Sequence, residues 1–294
     1  MLKRPAFTVI AVLTLALGIG LNTAIFSVIN AVILRPLAYS DPSRLITFDS
    51  NQSGPDVADF EAQTHSFSKI GGENHRALDY TAGTEPLQIQ IGQVTGGYFE
   101  ALGVKAERGR AIAAADDKTG APFVVVLSQT FWRQQFNGDP QIIGKTIPLS
   151  GNVYTIIGVM PAAFASPRAG IEAWTPVHVS DSDSADDRGV HYLRTYARLA
   201  DGVTLEQARA EMRVVDQTLA AKYPADNKNR VSVLIPLQNA LLASRDNRCW
   251  CYFASVSLVL LIACANFANL LLARSAERER SLLFELRSAP DGGD

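Results

Sequence analysis

Residues 204–222 read TLEQARAEMRVVDQTLAAK, and the fold class turns on how they are read. Thr204 stands where an N-cap belongs, and Gln207 follows three places on. Together they make a capping box, in which each side chain reaches the other residue's backbone N–H. Leu205, Ala208, Met212, Val215 and Leu219 then recur at three- and four-residue intervals and form one apolar stripe on a helix. Pro224 bars the helix from continuing. A strand pattern precedes it at His191–Leu199, and another follows at Val231–Ile235. The order β-α-β points to a two-layer α+β domain. Whether the two strands are neighbours, or parallel, stays open in the sequence.

Upstream, the same alternation of short signals continues. Val57 to Gln63 has the spacing of a short helix, and LQIQIGQV at Leu87–Val94 alternates as a strand. Glycines at 96, 97, 103 and 109 bracket a short helix at Tyr98–Leu102. Phe123 to Leu127 is a β-branched run of buried-strand type, and Ser128 can cap a helix that carries Phe131, Trp132 and Phe136. Gly138-Asp139-Pro140 marks a turn. Ile147–Leu149 and Val153–Val159 are expected as two strands about Ser150-Gly151-Asn152. Residues 180–189, SDSDSADDRG, are expected as a solvated loop; their aspartates lack the spacing of an EF-hand.

The chain has 294 residues, 47% of them hydrophobic and 19% charged, with a formal charge of -2. That composition excludes a disordered chain, and the charge gives no support to a nucleic-acid binder. Three cysteines exclude a disulfide scaffold. The apolar residues are unevenly spread. Residues 5–34 and 249–273 carry no charged side chain, and each run exceeds the roughly 20 residues needed to cross a bilayer. The first is too long for the apolar core of a signal peptide. Two transmembrane helices are therefore expected. Lys3 and Arg4 before the first, and Arg274, Arg278 and Arg280 after the second, put both termini in the cytoplasm. Residues 1–35 would be a cytoplasmic N-terminus and first span, 36–248 an extracytoplasmic domain, 249–273 a second span and 274–294 a cytoplasmic tail. Gly20, Ala24, Ser27 and Asn30 on the first span, and Ala265, Asn266 and Asn269 on the second, are small or polar residues of the kind that pack helices together in lipid.

Signals of catalysis mostly fail. GDPQIIGKT at 138–146 puts five residues between Gly138 and Gly144 where a phosphate-binding P-loop has four, and a strand pattern follows in place of a helix. His65, His75, His178 and His191 fall in no tight metal-ligand pattern, and no G-x-S-x-G elbow is present. Cys249 and Cys251 lie too close in sequence to bond each other without strain. No catalytic, cofactor-binding or metal-binding residue is assigned, and no cofactor is expected.

Five stretches, in order, carry a resemblance. They are PAFTVIAVLTLALGIGLNTAIFSVINAVILRPL (5–37), GQVTGGYFEALGVKAERGR (92–110), VVLSQTFWRQQFNGDPQIIGKTIPLSGNVYTIIGVMPAAF (125–164), ARLADGVTLEQARAEM (197–212) and LLIACANFANLLLARSAERER (260–280). They resemble the MacB/FtsX-like family of ABC transporter permeases and, more narrowly, the duplicated orphan permeases common in acidobacteria. The resemblance implies a periplasmic core domain with porter-like β-α-β elements, inserted between two transmembrane helices of the bacterial inner membrane. It also implies a non-catalytic permease component of a transport or mechanotransmission system. The partners implied are membrane lipid, a separate cytoplasmic ABC ATPase, a second permease copy and a periplasmic adaptor, with no nucleic acid. Arg274, Glu277, Arg278, Glu279 and Arg280 would be the remnant of the cytoplasmic coupling region. After Arg280 the chain reads SLLFELRSAPDGGD where the family has an EIA-x-R-x-ALGA-like stretch, so a fragment of a longer permease is expected. The competing expectation is an anchored extracytoplasmic binding or scaffold module with no ATPase partner.

Overall fold

A computed structural model describes residues 39–82, 85–177 and 187–243, together with the isolated helical positions Ala16, Gly20, Leu258 and Leu261. Residues 37–241 form one compact unit, and Met1–Pro36 with Leu242–Asp294 are assigned to another. Among the described residues of the compact unit, ten strands occur: β1 (Leu45–Phe48), β2 (Phe67–Tyr80), β3 (Leu87–Val94), β4 (Arg108–Gly109), β5 (Val124–Leu127), β6 (Thr146–Leu149), β7 (Asn152–Val159), β8 (Ala173–Pro176), β9 (Arg194–Leu199) and β10 (Leu234–Pro236). The helices are α1 (Gly54–Gln63), α2 (Tyr98–Leu102), α3 (Gln129–Phe136), α4 (Leu205–Lys222) and α5 (Pro224–Asn227).

Two half-motifs, β1-α1-β2 and β9-α4-β10, build a split βαβ arrangement with strand order β10-β1-β9-β2, every neighbour antiparallel. The strands flanking α4 are therefore not neighbours. β1 lies between them and pairs with both. Alternation along β1 sends Ile46 and Phe48 toward the two helices and Leu45 to the opposite face. On the helix side, Val57 and Phe60 of α1 and Ala208, Met212, Val215 and Leu219 of α4 close the core, and Phe48 stacks on Phe60. The capping box forms as the sequence requires: Gln207 N–H donates to Thr204 Oγ1, and Thr204 N–H donates to Gln207 Oε1.

Between β2 and β9 the chain inserts a second half. β3, β8, β5 and β7 follow β2 in order, with β3–β8 and β5–β7 parallel. β6 and β7 form a hairpin whose turn residues Ser150 and Gly151 have φ of 44° and 88°. Two positive φ values in succession suit a two-residue turn that follows strand twist. β6 then returns to β2 at Tyr80↔Leu149, so the strands β2-β3-β8-β5-β7-β6 close into a ring. Ile89, Ile91, Val125, Leu127, Ile147, Leu149, Tyr154 and Ile156 fill it, and Phe131 and Trp132 of α3 pack on the same cluster.

β2 belongs to both halves. Its 14 residues span about 45 Å at the usual rise. Residues up to Glu73 pair with β9, and residues from Glu73 onward pair with β3. α2 seals the face of the split half opposite α1 and α4. It packs so close that a Cβ on Gly71 would lie 2.3 Å from the Tyr98 backbone, which is why glycine is required there.

The sheet ends at β10, and that edge is closed by α4. Asp49 N–H donates to Val233 C=O, so residues 232, 234 and 236 direct their backbone groups away from β1. Ser232 N–H donates to Asp216, the Leu234 carbonyl accepts from Arg209, and Pro236 has no N–H.

Three sequence expectations are corrected. The α+β core stands, but among the described residues no helix is long and apolar enough to cross a membrane. The longest, the 18-residue α4, carries Glu206, Arg209, Glu211, Arg213, Asp216 and Lys222 and buries only one stripe. The architecture of two transmembrane helices flanking the domain is withdrawn on that finding. So are the transmembrane description and the inner-membrane placement with both termini cytoplasmic and the main domain periplasmic. The apolar runs 5–34 and 249–273 lie outside the described residues, apart from Ala16, Gly20, Leu258 and Leu261.

Candidate functional site

The two halves meet on a buried polar cluster at Glu73. In a strand, residues two apart share a face, so Glu73 and His75 point the same way. The Glu73 side chain is 1% exposed. Its Oε1 accepts from Tyr98 of α2 at 2.9 Å and from Ser166 Oγ at 3.1 Å, and those two hydroxyls lie 3.1 Å apart. Oε2 faces His75 Nε2 at 3.9 Å. Neither atom has a hydrogen-bond partner, and nor does the buried Trp174 Nε1 of β8. The indole lies near enough to favour a carboxylate without meeting hydrogen-bond geometry. Gly92, across from Trp174, leaves the room: a Cβ there would lie 2.6 Å from the ring and 3.0 Å from Glu73 Oε1.

Burial sets the charge states. It pushes the Glu73 carboxyl up to about 7, against the hydrogen bonds of Tyr98 and Ser166, the nearby Trp174 indole and the charge of Arg168. Burial, helped by Arg168, lowers His75 to about 4. Burial, reinforced by Glu73, also raises Tyr98 and Tyr196 well above the ordinary tyrosine range. At neutral pH the junction therefore holds a neutral imidazole beside a carboxyl near its midpoint.

A second cluster ties residues 187–191 to α1. Asp56, fully buried, meets Arg188 Nη1 at 2.6 Å and Asn227 Nδ2 at 2.9 Å, and His191 Nε2 lies 3.4 Å from its Oδ2. Arg188 also reaches Asp59 at 2.6 Å and covers the Tyr223 ring at 3.8 Å. Burial opposes the Arg188 charge, but the hydrogen bond to Asp59 and the two aspartate charges outweigh it and raise its pKa. The tract expected as a solvated loop is thus anchored at its C-terminal end. Residues 178–186 lie outside the described residues.

Of the sites read from sequence, Gly20 is helical and exposed, with nothing within 4 Å of a Cβ placed on it. Ala24, Ser27, Asn30, Ala265, Asn266 and Asn269 lie outside the described residues, as do Arg274, Glu277, Arg278, Glu279 and Arg280. Around the near-P-loop, Lys145 pairs with Asp139 and Thr146 opens β6, so the glycines lead into a strand. Among the described residues no group of three metal-ligating side chains assembles. Glu73, Ser166, Trp174, Asp56 and Arg188 were missed in the sequence. The one local signal was the Glu-x-His spacing within 73–75.

Together the fold and junction define a class: a two-part α+β domain in which one half is inserted into the other and both share a strand. The sequence description of the MacB-like periplasmic core domain matches residues 8–215, and the chain belongs to that family. Its members are non-catalytic transport components, and the chain is therefore not an enzyme. No curated protein sequence matches it. Among solved structures it is similar to the periplasmic region of MacB from Actinobacillus actinomycetemcomitans, at 13% identity and TM-score 0.51, over 73% of this chain and 98% of that one. It is also similar to the extracellular domain of the ABC-type transporter YknZ from Gram-positive bacteria, at 12% identity and TM-score 0.43, over 62% and 96%. A third likeness is to a domain of a permease protein from Porphyromonas gingivalis, at 12% identity and TM-score 0.48, over 67% and 89%. At 13% identity the likeness to the MacB periplasmic region is one of fold.

Proposed function

We propose that the chain is a permease component of an ABC-type machine, driven by a separate ATPase, in which residues 37–241 transmit movement and perform no chemistry. The observation that carries this reading is the shared strand β2, taken with membership of the MacB-like family. A 14-residue strand built into two halves moves them as one lever, so a displacement applied to the split half is delivered to the inserted ring. A second copy and an adaptor are the partners such a lever would work against. The five family-like stretches support placement near the duplicated orphan permeases.

The test uses the full chain with Cys249, Cys251 and Cys264 replaced by serine. A single nitroxide label goes on Val153, which is 62% exposed, so that the distance read is the one between two copies of the chain. A MacB-type ABC ATPase is co-expressed as the candidate partner. The ATPase should co-purify, and the label-to-label distance distribution should change between nucleotide-free and ATP-bound states. An ATPase that fails to bind, or a distribution indifferent to ATP, would leave a binding or scaffold module in its place.

A further inference from the structure

Glu73 is the one residue of β2 paired on both sides across the junction, with Arg194 of β9 and Val94 of β3. Its carboxyl is closed in by three elements besides its own strand: α2 through Tyr98, the segment after β7 through Ser166, and β8 through Trp174. The charged and titratable groups around it are His75 on β2, Arg168 beyond Ser166, Arg194 and Tyr196 on β9, Tyr98 on α2, and Tyr39. One oxygen has two donors. The other has none, and faces an imidazole nitrogen that also has none.

We propose that the Glu73 carboxyl is a proton-binding site that controls how tightly the inserted half closes on the split half. The inference rests on this geometry and not on the transport reading. With the proton bound, the carboxyl is neutral and its hydroxyl can close the 3.9 Å gap to His75 Nε2 while Oε1 keeps its two donors. With the proton lost, a buried carboxylate is left with one bare oxygen. Arg168 is exposed and acts on it at a distance, without an ion pair. An ionised group so placed must regain solvent. Solvent is regained as the segment bearing Ser166 and the Trp174 strand, which close over Oε1, lift away from β2. Because burial holds Glu73 at about 7, the change falls in the neutral range.

The full-length protein, labelled with carboxyl-13C glutamate and 15N tryptophan, is titrated by NMR from acid to mildly alkaline pH. One glutamate carboxyl should titrate with its midpoint near neutrality. The Trp174 indole resonance, assigned with Trp174→Phe, should follow it. Amide exchange over residues 161–177 should rise through the same midpoint. In Glu73→Gln the carboxyl signal and the indole titration should vanish together, with exchange staying slow. Should Glu73→Gln fail to fold, Ser166→Ala serves: losing a donor to the carboxylate moves the midpoint upward. Glutamates that all titrate in the ordinary acidic range would overturn the proposal. So would a neutral midpoint without any change in the indole or in exchange.

Discussion

At the scale of single residues, Glu73 and His75 oppose one another across the pH range. A carboxyl raised from 4.5 to about 7 adds stability that is fully present below 4.5 and is lost as pH climbs through 7. A histidine lowered from 6.5 to about 4 adds stability that is present above 6.5 and is lost as pH falls through 4. Single substitutions separate the two. Relative to wild type, Glu73→Gln should gain stability between pH 4 and pH 8, on the order of 3 kcal/mol for a shift of this size. His75→Gln should gain in the other direction, as pH falls from neutral toward 4. Urea unfolding at a series of pH values measures both, and parallel curves for wild type and variants would contradict the assigned charge states. Neither residue stood out in the sequence, because what shifts them is burial, and Tyr98, Ser166 and Trp174, which pack around the Glu73 carboxyl, lie between 25 and 101 positions away in the chain.

Elements differ in how much of their cause is local. α4 was legible to the residue, since its cap, stripe and stop all lie within one stretch. Thr204→Ala removes one half of the capping box and should cost about 1 kcal/mol, read as a lower urea midpoint with an unchanged slope. β3, α2 and the β6-β7 hairpin were legible for the same reason. α1 begins three residues earlier than its pattern, because Ser53 caps it and Pro55 sits in its first turn, neither of which shows as periodicity. β2 went unread. FSKIGGENHRALDY breaks alternation with two glycines and mid-strand charges, and each is explained only by a distant neighbour. Gly71 admits the backbone of Tyr98, and Glu73 meets Ser166. β1 and β8 are four-residue strands with every residue buried, too short for periodicity to reveal.

For the whole molecule, the β-α-β order was enough to name an α+β class, whereas the insertion was not visible. No sequence signal tells that the strand following α1 should wait some 110 positions for its partner β9, with a closed ring built in between. That topology has a measurable result. Because the halves share β2 and clasp Glu73 from both sides, they should unfold together. Met212→Ala opens a cavity in the split half only, at a cost of about 2–5 kcal/mol. With 5-fluorotryptophan as the probe, the Trp132 resonance in the inserted half should lose stability by the same amount as the far-UV circular dichroism of the chain. A Trp132 transition that ignored the substitution would mean the halves melt separately.

The sealed edge at β10 bears on how copies of this domain meet. With Arg209 holding the Leu234 carbonyl, Asp216 holding the Ser232 amide and Pro236 offering none, that border presents few free backbone groups for a second sheet to extend. Neighbours packed side by side would therefore touch through side chains, in an orientation that strand register does not dictate, and could slide or part without unravelling either sheet.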